Sequence, residues 1–107
     1  MIRFFSKTVF LLALVLLLGC SAATRLDGMI LDQNKQPIEG ATIVLDVEGR
    51  HGETLSKGDG IYNLRMNHPP GPRWVTVSKP GYKTVRKKLH GGVVVHLNVV
   101  LKPEAGR

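Results

Sequence analysis

The residues of this chain best equipped for chemistry are one thiol, Cys20, and four imidazoles, His51, His68, His90 and His96, with a few hydroxyls and carboxylates. Their spacing excludes most of what they could do together. Zinc needs three or four convergent nitrogen or sulfur ligands, and neither H-x-x-x-H nor H-E-x-x-H occurs. His90 and His96 would have to meet across Gly91-Gly92, whereas alternation along that segment makes His96 an outward residue of a strand. Asp32, Asp46 and Asp59 could gather at one loop end around calcium, but they lack the EF-hand spacing and serve equally well as turn and cap residues. Ser21, Ser56 and Ser78 stand outside any G-x-S-x-G elbow. The expectation is a protein without catalysis, metal or bound cofactor.

Two surface features offer binding chemistry instead. Lys79, Lys83, Arg86, Lys87 and Lys88 cluster within ten positions of a chain with 15 Lys and Arg against 8 Asp and Glu. Such a run is usually a solvated face, and on an edge strand it also discourages pairing between molecules. Beside it in sequence lie Arg73 and the single tryptophan, Trp74. An outward indole flanked by a guanidinium can stack on a sugar ring or pack against a partner. A register slip of one residue would turn Trp74 into the core. Arg73, Trp74, Lys83, Arg86 and Lys88 are therefore the candidate ligand or partner contacts.

Cys20 needs its own explanation, because a lone cysteine makes no intramolecular disulfide. It closes the longest apolar run of the chain. Met1–Lys7 carries Arg3 and Lys7 and no acid, Thr8–Leu18 is almost wholly apolar, and Gly19 ends it. A basic start, an apolar middle and a small residue before the cut are the parts of a secretory signal. The run is short for a membrane span of about 20 residues, which leaves an inserted N-terminal anchor as the runner-up. Leu17-Leu18-Gly19-Cys20 resembles the lipobox of bacterial lipoproteins. That resemblance implies cleavage after Gly19, diacylglycerol on the Cys20 thiol and a further acyl chain on its new amine. Each buried methylene contributes about 0.8 kcal/mol, so two or three chains hold a small protein at a membrane. The expected location is the cell envelope. If the host is Gram-negative, Ser21 after the cysteine implies the outer membrane, facing the periplasm. Nucleic acid is then not an expected partner, despite the basic balance.

The elements that must position these residues follow from hydrophobic period. Residues 1–19 read as the signal, 20–25 as the lipidated cysteine and a small polar tether, 26–103 as one domain and 104–107 as a tail. Within the domain the period is two. Leu26 and Ile30 share a face with Gly28, and Ala41, Ile43 and Leu45 share another. Tyr62, Leu64 and Met66 alternate with Asn63 and Arg65, and Val75 and Val77 with Thr76 and Ser78. Val93, Val95, Leu97, Val99 and Leu101 form the longest such set. Alternation rich in β-branched residues predicts strands near 26–31, 41–47, 53–57, 61–66, 73–79, 83–89 and 93–101, about seven in all. Asp59-Gly60, Pro80-Gly81 and Gly91-Gly92 supply turns between them. No helical period appears outside the signal. The fold class is all-β.

The order of these features resembles the carboxypeptidase regulatory-like domain, a transthyretin-type Greek-key sandwich of antiparallel strands. The matching residues are Gly28, Asp32, Pro37, Gly40, Ala41, Asp59, Gly60, Tyr62, Gly81 and Tyr82. They are mostly fold chemistry rather than a site. One departure is Arg73, which stands where the family often has an inward aromatic, so that Trp74 faces outward if the register holds. The resemblance implies no catalytic residues, since the enzymes that carry this domain keep their zinc elsewhere. Hydroxyisourate hydrolases share the sandwich, but their terminal Tyr-Arg-Gly-Ser has no counterpart in Lys102–Arg107. The sequence thus supports an anchored envelope module with a protein partner first. A glycan- or anionic-lipid-binding module comes second, and a small hydrolase a distant third.

Overall fold

The computed structural model describes residues 22–104, and these form two β-sheets packed face to face with no helix among them. The strands are β1 (Ala22–Leu31), β2 (Thr42–Val47), β3 (Arg50–Leu55), β4 (Ile61–His68), β5 (Arg73–Ser78), β6 (Val85–Lys88), β7 (Val94–His96) and β8 (Val99–Val100). One sheet orders β4-β1-β7 with β8 also on β1, and the other orders β3-β2-β5-β6. The inward residues are those that the alternation singles out. Leu26, Ile30, Ala41, Ile43, Leu45, Tyr62, Val75, Val77 and Leu101 are all buried, each at 1% exposure or less. In the last expected set Val93 stands 60% exposed just before β7, and Val95 and Leu97 are only partly buried.

The expected antiparallel arrangement holds everywhere except at β1. There β7 and β8 run parallel to it, with Arg25 opposite Val94 and Ile30 opposite Val99. Direction alternates along the chain, so β1 and β7 both set out from the same end of the sandwich. Placing them side by side makes the pair parallel. The single expected strand 93–101 is cut in two at Leu97-Asn98, although both pieces keep one register on β1. Gly28 marks the break. A Cβ there would overlap the Leu97 carbonyl oxygen and stand 2.6 Å from its carbon, so only glycine admits the crossing backbone. The Tyr62 hydroxyl donates to that same carbonyl at 2.6 Å, and the Asn98 side chain accepts from the Met29 N–H at 3.0 Å.

Three other boundaries differ from expectation. Residues 22–25, read as tether, are the first turnless stretch of β1 and pair with β4 from Ala22 opposite His68 onward. Their small polar character resembles a linker, but Thr24 faces inward, only 1% exposed, with its hydroxyl satisfied by His68. The third strand starts at Arg50 instead of near residue 53. Glu48 and Gly49 both take positive φ, 47° and 80°, the two-residue hairpin geometry that matches strand twist. The sixth strand is shorter than expected because the Lys83 N–H bonds the Lys102 carbonyl instead of a sheet neighbour.

Candidate contact face at Trp74 and the polar cluster at Arg73

Adjacent residues of a strand point to opposite faces, and this separates the two most prominent candidates. Val75 and Val77 point inward, so Trp74 stands on the outer face of the second sheet, half-buried. Its strand neighbours in the row are Asp46 on β2 and Lys88 on β6. Arg86, opposite Thr76, lays its guanidinium over the indole with Cζ 4.3 Å from the ring centroid. This cation–π pair contributes about 0.5–1 kcal/mol at an exposed site. It also changes the chemistry on offer. The indole presents a stacked arginine rather than an open ring, with Lys88 alongside. Asp46 is held by His51, its partner across the β2–β3 pair. Among the described residues neither Arg86 nor Lys88 has a carboxylate within ion-pair distance. The face therefore suits a carboxylate or phosphate laid across Arg86 and Lys88.

Arg73 belongs elsewhere. It shares the inward phase of Val75 and closes the open end of the sandwich. One guanidinium nitrogen donates to Thr24 Oγ1 at 3.1 Å and to the Gly92 carbonyl at 2.9 Å, and the other to the Gly91 carbonyl at 2.9 Å. Thr24 Oγ1 lies 2.7 Å from Nε2 of His68, itself buried at 4% exposure. His68 Nδ1 is 2.8 Å from the Pro69 carbonyl. A carbonyl only accepts, so Nδ1 carries a proton and donates to it, and in the tautomer protonated there alone Nε2 accepts a hydrogen bond from the Thr24 hydroxyl. The chain of donors runs from Arg73 through Thr24 to His68 and ends on Pro69. A hydroxyl on an imidazole oriented by a third group is the outline of a nucleophile–base pair. Here the hydroxyl is 1% exposed and already accepts from Arg73, so the cluster closes off and satisfies the core end. A cavity of about 220 Å³ opens beside it, lined in part by Ala22, Thr24, His68, Arg73 and Gly92. Nothing in sequence flags Thr24 and His68, which stand 44 residues apart and in no motif.

The other expected contacts fall apart in space. Lys83 lies at the opposite end of the sandwich, bonded through its backbone to Lys102. It is thus no part of a Trp74 face. Cys20 and the motif residues Leu17, Leu18 and Gly19 lie outside the described residues. Asp32 and Asp59 serve turns: one Asp32 carboxylate oxygen accepts from the N–H groups of Asn34 and Gln36, and Asp59 from that of Ile61. Asp46 stands far from both on β2, so the three carboxylates do not gather. His96 does not meet His90 but pairs with Asp27, its neighbour across β1–β7. Among the described residues no three His, Cys, Asp or Glu side chains converge as a metal would require. Burial, with the nearby charge of Asp27, holds the Tyr62 phenol well above its ordinary range.

The sandwich has counterparts among solved structures. Klebsiella pneumoniae 5-hydroxyisourate hydrolase superposes with a TM-score of 0.60 at 20% identity, over 77% of this chain and 93% of that one. Chlorocatechol 1,2-dioxygenase from Pseudomonas putida gives 0.64 at 12% identity, over 77% of this chain and 61% of the dioxygenase. The Bacillus anthracis TIE protein gives 0.59 at 19% identity over 77% of this chain. The chain spans less than two thirds of the dioxygenase and 17% of the TIE protein. At such identities these likenesses establish the fold, a transthyretin-like sandwich, and nothing of the chemistry. No curated protein sequence is significantly similar to the chain. The model of the carboxypeptidase regulatory-like domain, in contrast, matches residues 25–102, from within β1 to two residues past β8. That match spans most of the sequence, and the chain belongs to the carboxypeptidase regulatory-like domain family.

Proposed function

We propose that this protein is a lipid-anchored, non-catalytic accessory module of the cell envelope, working through surface contact with an envelope protein. The observation that carries this reading is the outer face of the second sheet. Trp74, Arg86 and Lys88 stand there together, two cations and an aromatic ring without a carboxylate of their own. Aromatic and arginine side chains in one patch are the composition favoured at the centre of protein contacts. The Leu17-Leu18-Gly19-Cys20 sequence supplies the anchor, with diacylglycerol on the thiol and an acyl chain on the amine. The envelope, and the periplasmic side of the outer membrane in a Gram-negative host, is the corresponding location.

A second reading is supported by the same face. The half-exposed indole under a guanidinium also suits a glycan or an anionic lipid, with stacking on one side and charge on the other. Cross-linking in the native membrane, followed by mass spectrometry, separates the two. A protein recovered in fixed ratio, lost in Trp74→Ala and in Cys20→Ala, supports the accessory module. Recovery of glycan or lipid fragments alone, equally sensitive to Trp74→Ala, refutes it in favour of the binding module.

A further inference from the structure

The Arg73 end of the sandwich is where β1 begins. Ala22 is already paired with His68, so Ser21 is the one residue between the sheet and Cys20. Two peptide steps reach no more than about 7 Å. An acyl chain on Cys20 thus holds this end of the domain, and not a distant flexible arm, against the bilayer surface.

The same end has the composition of a headgroup-facing surface. Register places Arg50, Arg73 and Lys88 there, with Arg73 opposite Val47, Arg50 opposite the same residue and Lys88 opposite Trp74. The acids at this end are Asp46, held by His51, and Glu48, folded against Gly71. Val93 and Val94 are 60% and 53% exposed beside them. Pro69 and Pro70 are also exposed. Cations mixed with exposed apolar residues at one tip match a bilayer interface, where phosphates meet the first methylenes. The geometry points to this end as a docking surface for anionic phospholipid headgroups, seated on the same membrane that holds Cys20. The inference rests on the anchored reading above. It adds a fixed orientation: the Arg73 end faces lipid, Lys88 stands at the rim between that end and the outer face, and the outer face of Trp74 and Arg86 stands upright and open to a partner alongside the membrane.

The test uses the full-length acylated protein in vesicles of seven parts phosphatidylcholine to three of phosphatidylglycerol. With Cys20 acylated, an introduced cysteine is the one free thiol. His90→Cys, at the docking end, and Lys57→Cys, at the far end, each take a fluorescent label, and a nitroxide on the lipid headgroup serves as quencher. Both positions are exposed. The His90→Cys label is expected to be quenched at least five-fold more strongly than the Lys57→Cys label. The double change Arg50→Glu with Lys88→Glu is expected to reduce that contrast two-fold or more. Equal quenching at the two ends, on protein whose mass confirms acylation, overturns the orientation. A contrast unchanged by charge reversal overturns the headgroup contact. A Cys20 thiol found free by mass overturns the anchored reading itself, and this inference with it.

Discussion

Replacing Gly28 by alanine tests the least replaceable contact in the fold. The new Cβ would stand 2.6 Å from the Leu97 carbonyl carbon, where about 3.5 Å or more is comfortable. Relief requires the last strand to back away by about 1 Å, and the atom in the way is backbone. Overpacking of this kind costs about 1–3 kcal/mol. The displaced carbonyl is also the acceptor of the Tyr62 hydroxyl at 2.6 Å, and a buried hydroxyl left without its partner costs about 1–3 kcal/mol more. The sum is about 2–6 kcal/mol, against a total stability of about 4–12 kcal/mol for a domain of this size. Urea unfolding followed by Trp74 fluorescence measures it. With a slope of about 1 kcal/mol per molar, the midpoint should fall by about 2 M or more, or no folded baseline should remain. Gly92→Ala is the control, since a Cβ there meets nothing within 4 Å, and it should change stability by less than about 0.5 kcal/mol. A Gly28→Ala protein within about 1 kcal/mol of its parent would refute the close approach of Leu97 and the reason given for the strand break.

Other outcomes follow from the same contacts. Burial raises the Tyr62 phenol, so its contribution is intact below the ordinary tyrosine value of about 10 and is lost as pH climbs above it. Alkaline titration should show cooperative unfolding from about pH 10, and Tyr62→Phe should weaken that dependence while costing about 1 kcal/mol at neutral pH. Thr24→Val leaves Arg73 and His68 each short of a partner and should cost about 1–3 kcal/mol in urea unfolding, with Thr24→Ser close to the parent. Arg86→Ala removes the cation over the indole and should cost no more than about 1 kcal/mol while changing Trp74 emission; an unchanged spectrum would contradict the stack. Cys20→Ala should move the protein from the membrane fraction to the soluble fraction on cell fractionation.

Much of this fold was legible in the amino-acid order because burial in a strand is a local property. Tyr62, Leu64 and Met66 alternate with polar residues, and their facing follows from a period of two without knowledge of any neighbour. The outward position of Trp74 was readable in the same way, once Val75 and Val77 were taken as core. Pairing is a different kind of fact. That β7 lies on β1 and runs parallel to it, that the Leu97 carbonyl crosses Gly28, and that Arg73 meets Thr24 and His68 all depend on how loops close the two sheets. These partners are separated by tens of residues, and no local spacing records them. The basic cluster shows the division most plainly. Lys83, Arg86 and Lys88 are neighbours in sequence, yet the chain sends Lys83 to one end of the sandwich and sets Arg86 and Lys88 beside Trp74. Sequence alone determined most of the residues that face inward, with Val93, Thr24 and His68 as the exceptions. Tertiary structure decided which of the outward ones meet, because that depends on loop closure over long separations rather than on the alternation of a single strand.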